Sequence, residues 1–230
     1  SCYAVPAEIR NGGVKRYGGF GLGHEWAWRR ARDVDGGCRN VVSVPLGDRP
    51  NVAAIKNGLA MDSSIGFTPA EGLPSSECCG DIDPAVVLHL KRAGWPIDEI
   101  NDTLARHSGF SGMTATPTRY CDLVSRSGDV LTSEALEMLA YGVRKYIGAF
   151  AAAMGGVDSV VFSGRDIVES VPLARRVFRA LGFPGLRVGG PPVLFKDAWS
   201  LSHRESTVRG LAVEYNKWQV LEEMVRSWLE

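Results

Sequence analysis

The amino-acid sequence predicts an α/β protein, and three observations support this prediction. Short runs rich in Val are typical of strands, and segments with apolar residues spaced three and four apart are typical of helices. The two kinds of segment alternate along the chain, and turn-forming residues such as those at 47–51 separate them. No internal repeat, low-complexity segment or linker rich in Pro and Ser divides the 230 residues. We therefore expect a single domain over 1–230.

The first part of the chain contains one helical stretch and three predicted strands. The helical stretch opens at His24. The first two strands are expected at 41–46 and 52–56. Asn57-Gly58 is a strong hairpin turn, so a third strand is expected at 59–61.

Three helices are expected in the middle of the chain. Asp83 and Pro84 open the first, because Asp is a good N-cap and Pro fits the first helical position. Its apolar stripe consists of Val86, Val87, Leu90 and Ala93. The second helix covers 96–106, and the longest covers 133–154. The longest helix is predicted to bury Leu136, Leu139, Ala140, Val143, Ile147, Phe150 and Met154.

The last part continues the alternation. A buried strand is predicted at 157–162, a helix from about Pro172 to Leu181, and a strand at 208–213. The tail at 217–229 is amphipathic, with one stripe formed by Trp218, Leu221, Val225 and Trp228. We expect that stripe to pack on the chain's own sheet, and docking on a partner is the alternative.

The composition is that of a globular protein. Hydrophobic residues make up 45% and charged residues 23%, which excludes a disordered chain, a collagen-like fibre and a coiled coil. Lys plus Arg and Asp plus Glu both number 26, so no global charge favours nucleic acid or an anionic membrane. No apolar run is long enough to span a membrane, and no signal peptide is visible. We expect no membrane or nucleic-acid partner, and a cytoplasmic or other reducing compartment rather than secretion.

The five cysteines are an odd number and contain no C-x-x-C pair, so a zinc ribbon is not expected. Free thiols in a reducing compartment are the plain interpretation. The alternative is a redox pair that uses Cys78 or Cys79, although nothing nearby in the sequence activates either thiol.

Three segments could carry chemistry. The glycine-rich segment 17–24 predicts either a flexible turn or a phosphate cradle, and its His24 is more typical of a capping or packing residue than of a catalyst. Ser163-Gly164 follows a buried strand, where ligands of α/β sheets bind, but an ordinary turn is equally compatible. Asp81 and Asp83 could bind Mg²⁺ or act as an acid–base pair, although Asp83 already serves as an N-cap. No metal-ligand cluster can be assembled from spacing.

Seven stretches together match the signatures of one known family, namely 3–6, 16–18, 52–58, 66–73, 80–87, 144–149 and 155–162. In these stretches the chain resembles the acetate kinase family. This resemblance implies a ribonuclease-H-like domain of the actin-like and sugar-kinase-like ATPase superfamily. It also implies that 1–230 corresponds to the family's second, C-terminal domain and that the N-terminal domain is absent. The family transfers a phosphoryl group between ATP and a short carboxylate such as acetate, so ATP and Mg²⁺ are implied by the family alone.

The loops that bind ligands in the acetate kinase family have different residues in this chain. Phe20 stands at the position of the family's transition-state His, and His24 is the only histidine retained near the site. Pro45-Leu46-Gly47-Asp48-Arg49 replaces the family's phosphate loop. Cys78 stands at the position of its second transition-state residue, an Arg. We therefore expect no intact catalytic residue.

Further departures affect nucleotide and metal binding. Arg119-Tyr120-Cys121 replaces a motif near the nucleotide, and the adenine loop keeps Gly164 but diverges over 165–169. Asn216-Lys217-Trp218 replaces the motif that carries the family's metal ligand, so no metal site is expected. The residues left as weak nucleotide-binding candidates are Leu46, Gly47, Ser163 and Gly164.

These departures predict a member of the acetate kinase family whose catalysis is impaired or absent. A non-catalytic structural or interaction module built on the same fold is the alternative, and a nucleotide-binding regulator is a third hypothesis. The family forms homodimers through this half of the molecule, and 66–73 resembles a segment near its subunit contact. We therefore expect a homodimer or a complex with a protein partner.

Overall fold

The computed structural model describes residues 2–165, 167–182, 185–195 and 198–229, and these form two compact units. The first unit consists of Ser1–Gly19, Gly47–Asn51 and Ser64–Gly142. The second consists of Phe20–Leu46, Val52–Ser63 and Val143–Glu230. Each unit is assembled from separate stretches of the chain, and the expectation of a single domain over 1–230 stays a prediction.

The second unit is built on a mixed sheet that has seven strands among the described residues. The strands are β1 (Asn40–Pro45), β2 (Ala53–Lys56), β3 (Leu59–Ser63), β4 (Ser159–Gly164), β5 (Val188–Phe195), β6 (Ala198–Ser202) and β7 (Arg209–Glu214). Their order is β3-β2-β1-β4-β7-β6-β5. The central strand β4 pairs in parallel with β1 and β7, and the two outer pairs on each side are antiparallel.

Asp158 sets the register of the three central strands. Its carboxylate accepts hydrogen bonds from the backbone N–H groups of Arg39 and Asn40, at 2.8 and 2.7 Å. Its own backbone N–H donates to the Asn40 carbonyl, and its carbonyl accepts from the Arg209 N–H, both at 2.8 Å. The starts of β1, β4 and β7 are thereby tied together, so their carboxyl ends align at the opposite edge.

Nine helices lie among the described residues. They are α1 (Ala7–Asn11), α2 (Gly21–Val34), α3 (Pro84–Arg92), α4 (Ile97–Arg106), α5 (Gly109–Thr114), α6 (Tyr120–Ser125), α7 (Val130–Met154), α8 (Ile167–Leu181) and α9 (Lys217–Leu229). The first unit contains α1 and α3 to α6, together with α7 as far as Gly142, and the remaining helical residues belong to the second unit. Within the described part of the chain, no helix combines the length and the hydropathy needed to cross a membrane.

The core of the second unit lies between α2, α9 and the sheet. Its buried members are Trp26, Ala27, Trp28, Ala31, Cys38, Val41, Ile55, Val161, Ala198, Leu211, Val213 and Val220. Strand β4 lies at the centre of the sheet. All of its residues are buried because both of its faces are covered.

Most of the predicted elements are confirmed. The hairpin turn joins β2 and β3, with Asn57 at φ 53° and Gly58 at φ 81°. All seven apolar residues predicted to be buried in the longest helix are buried in α7, which begins three residues earlier than predicted. The Asp83 side chain accepts from the Ala85 N–H at 2.8 Å and so caps α3 as expected.

Three predictions were wrong in detail. The tail stripe does not pack on the sheet: Trp218 is 70% exposed, and α9 is buried through Val220 instead. The side chain of Trp228 lies outside the described residues. The apolar stripe of α3 is not buried either, since that helix has no buried residue. Helix α8 begins at Ile167 and contains Pro172 in its interior, whereas Pro172 was expected to start it.

Gly109 provides a test of the packing in the first unit. It has φ +61°, and a Cβ atom there would lie 2.1 Å from the Ser75 carbonyl oxygen and 2.7 Å from the Cys78 carbonyl oxygen. We predict that Gly109→Ala lowers the free energy of unfolding by at least about 1–3 kcal/mol, because it strains the backbone and clashes with rigid backbone atoms. Urea denaturation measures this loss.

Gly128→Ala is the matched control, because Gly128 has open space around its Cβ position and no positive φ. The control should stay within about 0.5 kcal/mol of the parent protein. Equal stability of the two variants would contradict the packing described for Gly109.

Candidate functional site

The carboxyl ends of β1 and β4 bring three of the predicted nucleotide-binding residues together. Pro45 pairs with Ser163 in the parallel register, and the Leu46 N–H donates to the Ser163 carbonyl at 2.7 Å. The Gly164 carbonyl accepts from the Tyr215 N–H at 2.8 Å. Ligands of open α/β sheets bind at this edge. The chain then passes through Gly47, at φ +145°, into the first unit.

The hydroxyl of Ser163 is buried and has no hydrogen-bond partner among the described residues. An unpaired buried hydroxyl is costly, so Ser163 is the most unusual polar group at this edge. Asp166 lies outside the described residues, as do the side chains at 167–169 that follow it in the predicted adenine loop.

His24 serves the packing of the second unit. It lies in the first turn of α2, is 7% exposed, and its Nδ1 is 2.9 Å from the Ser43 hydroxyl on β1. Trp26 on the same helix donates from Nε1 to the Glu214 carbonyl at 2.8 Å. Two side chains of α2 therefore bind it to the sheet. Phe20, which precedes the helix, adopts a left-handed φ of 59° and is 46% exposed.

Asp48 of the altered phosphate loop is the centre of a hydrogen-bonded cluster whose members all belong to the first unit. The Asp48 carboxylate accepts from Arg119 Nε at 3.1 Å, from the Tyr120 N–H at 3.3 Å and from the Ser76 hydroxyl at 3.3 Å. Arg119 also contacts it through Nη2 at 3.1 Å, and the charge of Asp48 raises the pKa of the Arg119 guanidinium. Donors suited to an anion are therefore already occupied by a carboxylate of the chain itself.

The segment 75–79 is held to residues 104–111 by backbone hydrogen bonds. The resemblance places the second transition-state residue in this segment. The Ser75 carbonyl accepts from the Phe110 N–H, and the Glu77 carbonyl accepts from the Ser108 N–H, both at 2.8 Å. Cys78 lies in this segment and is buried. Its backbone N–H donates to the Ser75 hydroxyl at 2.9 Å.

The carboxylates of Asp81 and Asp83 do not form a joint acid–base or metal site. Asp83 caps α3, and Asp81 accepts from the Gly72 N–H at 2.9 Å. Asn216 is likewise a capping residue, because its side-chain oxygen accepts from the Trp218 N–H at 3.0 Å. Over the parts of the chain that the structure describes, no group of three or more His, Cys, Asp or Glu side chains could hold a metal ion.

Sequence reasoning missed a charged cluster formed by Tyr3, Arg16 and Glu71. The Glu71 carboxylate accepts from the Tyr3 hydroxyl and pairs with the Arg16 guanidinium. The Tyr3 oxygen accepts from the Phe67 N–H at 2.7 Å. Burial and the hydrogen bond to Glu71 raise the pKa of Tyr3. No spacing signal could have found this cluster, since Glu71 is 68 positions from Tyr3 and 55 positions from Arg16.

The fold is that of the actin-like and sugar-kinase-like ATPase superfamily. The sequence model of the acetokinase family matches residues 1–217, and the chain belongs to this family. The family and superfamily expectations are therefore confirmed.

The relatives match strongly but over part of their length. The chain is 32% identical over 225 residues to the acetate kinase of Clostridium novyi, covering 94% of this chain and 56% of that protein. It is 38% identical over 192 residues to the acetate kinase of Symbiobacterium thermophilum, covering 80% and 48%. The crystal structure of Porphyromonas gingivalis acetate kinase matches with a TM-score of 0.88 and 30% identity, over 99% of this chain and 59% of that one. The chain thus spans about half the length of the relatives it matches.

The ATP and Mg²⁺ that the family implies do not fit the described residues. The donors around the altered phosphate loop face the Asp48 carboxylate, and a nucleotide phosphate would meet a charge of its own sign there. Carboxylates that could share a cation are used as separate backbone acceptors at Asp81 and Asp83. The assignment of Leu46, Gly47, Ser163 and Gly164 to a nucleotide stays a prediction.

Two buried serines on neighbouring strands test the packing of this edge. We predict that Ser43→Ala lowers the free energy of unfolding by about 1–3 kcal/mol, because it leaves the buried His24 ring without its hydroxyl partner. Ser163→Ala should leave stability unchanged or raise it, because it removes a buried hydroxyl that has no partner among the described residues.

Thermal unfolding of the two variants measures the contrast. Since both serines are less than 2% exposed, loss of side-chain volume is matched between them. A stability loss at Ser163 as large as that at Ser43 would contradict the assignment of an unpaired hydroxyl.

Proposed function

We propose that this chain keeps the acetate kinase fold without its phosphoryl-transfer activity and acts as a non-catalytic assembly module. The relatives carry the name acetate kinase. We propose that residues 1–230 do not form acyl phosphate from ATP and acetate. The free state of all five cysteines supports a reducing compartment such as the cytoplasm.

The carboxylate of Asp48 is the observation that carries the proposal. It lies in the loop that resembles the family's phosphate loop, and it accepts from Arg119, Tyr120 and Ser76. A carboxylate that holds these donors imitates the anion they would otherwise bind. A phosphate group approaching the loop has to displace a tethered negative charge, which competes at high effective concentration.

Two further replacements support the same conclusion. The resemblance places the family's transition-state His at Phe20 and its Arg at Cys78. Neither an aromatic ring nor a buried thiol donates the hydrogen bonds that stabilise charge on a transferring phosphoryl group. Loss of a single such donor typically lowers the rate by about 10²–10³-fold.

We predict that the protein binds ATP with a dissociation constant above about 1 mM and forms no acyl phosphate above background. Asp48→Asn should tighten ATP binding by about five- to tenfold, because removing one unit charge at about 4 Å in water is worth about 1 kcal/mol. It should not restore turnover, since Phe20 and Cys78 are unchanged. Isothermal calorimetry and a hydroxamate assay for acyl phosphate measure the two quantities.

Glu8→Gln is the control for charge alone, because this exposed carboxylate lies on α1 and outside the loop. It should leave ATP binding unchanged. The acetate kinase of Porphyromonas gingivalis serves as the positive control for the assay. Micromolar ATP affinity of the parent protein would favour a nucleotide-binding regulator, and turnover near the 1–100 s⁻¹ typical of kinases would overturn the proposal.

The assembly role rests on an apolar surface of the first unit. Helices α3 and α4 contact each other, and several large side chains on them or next to them are exposed, namely Ile82, Val86, Leu88, Trp95 and Ile97. Of these, Ile82 and Ile97 line a mainly apolar cavity of about 900 Å³, which Ala70 and Glu71 also line. Because 66–73 resembles a segment near the family's subunit contact, we assign this surface to a second copy of the chain.

We predict that the protein is a dimer at micromolar concentration and that Ile97→Glu raises its dissociation constant by at least about tenfold, because a charge is then buried in an apolar contact. A carboxylate in the first turn of α4 suits the helix dipole, so this variant should fold. Light scattering measures the mass.

Leu59→Glu is the matched control, since Leu59 is a more exposed apolar residue on β3 of the second unit. It should leave the dimer intact. A parent protein with a mass of 24.9 kDa at micromolar concentration, or equal dissociation of both variants, would contradict the assembly proposal.

A further inference from the structure

Cys78 and Cys79 place two free thiols side by side in the first unit. Each thiol is the largest influence on the pKa of the other. The Cys78 sulfur also lies 3.4 Å from the Ala70 carbonyl oxygen, and the Cys79 sulfur lies 3.3 Å from the Gly80 carbonyl oxygen. Ala70 and Gly80 both line the cavity of about 900 Å³, so the two sulfurs lie beside the wall of the same cavity.

The backbone that carries the two thiols is held on both sides. The Cys78 N–H donates to the Ser75 hydroxyl at 2.9 Å, and its carbonyl accepts from the Ser75 N–H at 3.0 Å. The Cys79 N–H donates to the Leu104 carbonyl at 3.0 Å. Gly109 packs against the Cys78 backbone so closely that no side chain fits between them. The backbone positions of the two cysteines are thus largely preset, which lowers the entropy cost of holding a ligand between their sulfurs.

The environment favours one thiolate in the pair. The hydrogen bond from Cys79, the backbone of Gly80 and the positive charge of Arg49 lower the pKa of Cys78 to about 6, against the opposing effect of burial. The same hydrogen bond and burial raise the pKa of Cys79. Arg49 is the activating charge that the sequence alone did not indicate, and the thiolate is the form that acts as nucleophile and soft ligand.

Cys79 gives this pair access to open space. It lines a second cavity of about 360 Å³, whose walls include Met113 and Met138 and which shares only Cys79 with the larger cavity assigned above to a second copy of the chain. An engineered apolar cavity of roughly 150 Å³ already holds a benzene molecule. The smaller cavity is therefore large enough for a ligand that carries a phenyl ring. The thioether groups of the two methionines in its wall are polarisable and suit a soft ligand.

A bridging atom suits these two sulfurs better than a disulfide. Cα atoms of consecutive residues lie about 3.8 Å apart across a trans peptide. Disulfides usually join Cα atoms roughly 4.4–6.8 Å apart, so direct closure between neighbours is strained. A larger atom bonded to both sulfurs relieves this constraint, because the sulfurs need not come within bonding distance of each other.

We propose that Cys78 and Cys79 form a bidentate site for a soft, thiophilic centre, with trivalent arsenic as its probe. In the reaction with phenylarsine oxide, both S–H bonds break and each sulfur forms one bond to arsenic. The arsenic–oxygen bond breaks, and the oxygen leaves with the two protons as water. Arsenic stays trivalent and the sulfurs are not oxidised, so no oxidant is required. The site does not depend on the function proposed above.

The experiment treats the reduced full chain with phenylarsine oxide and measures the intact mass. We expect one phenylarsine group per chain, bound with loss of one water, retained in excess 2-mercaptoethanol and released by 2,3-dimercaptopropanol. Cys78→Ser and Cys79→Ser should each weaken binding by at least about 100-fold, because the second sulfur–arsenic bond is then no longer intramolecular. Circular dichroism verifies that each variant is folded.

Cys2→Ser and Cys121→Ser are the matched controls, and both should retain the full label. Since Cys78 is buried and its replacement could disturb folding, Cys79→Ser, at a partly exposed position, provides the independent test. Retention of the label in folded Cys79→Ser, its release by the monothiol alone, or its transfer to Cys2 or Cys121 would each overturn the proposal.

Discussion

The structure of the second unit depends on one carboxylate, that of Asp158. By accepting from the backbone of Arg39 and Asn40, it fixes where β1 starts relative to β4, and its own carbonyl fixes β7 in the same way. A slip by one residue would turn every side chain of a strand to the opposite face. The register at this end therefore decides which residues meet at the other end, where Leu46 lies beside Ser163.

Sequence reasoning predicted the elements whose signals are local. The hairpin at Asn57-Gly58, the cap at Asp83 and the buried stripe of α7 follow from turn, capping and periodicity rules, and the structure has all three. It did not predict α5, α6, β5 or β6, which are short or lack a clear period. The stripe of α9 shows a further limit of periodicity, which predicts an apolar face but not which residues are buried. The core of the second unit contains Val220, whereas Trp218 is exposed.

The sequence could predict only those features of the candidate site that lie within a single loop. The sequence shows that Asp48 lies in an altered loop, but its partners Ser76 and Arg119 are 28 and 71 positions away. Side-chain pairs between distant positions leave no spacing signal in the sequence. The influence of the Arg49 charge on Cys78 could not be predicted for the same reason. Family resemblance located the altered positions, whereas only the structure reveals that the Asp48 carboxylate, although its side chain is 46% exposed, accepts from these donors.

The altered positions share a physical consequence. In a catalytic loop, donors are left unsatisfied so that a ligand can pair with them, and this costs stability. Here Asp48 satisfies such donors from within the chain. The altered loop therefore has hydrogen bonds that no ligand has to supply. Under the proposed function, a loop that is stabilised in this way can diverge while the scaffold motifs are kept, because its ordering needs no ligand. The vicinal thiols occupy a segment held by the same kind of internal hydrogen bonding.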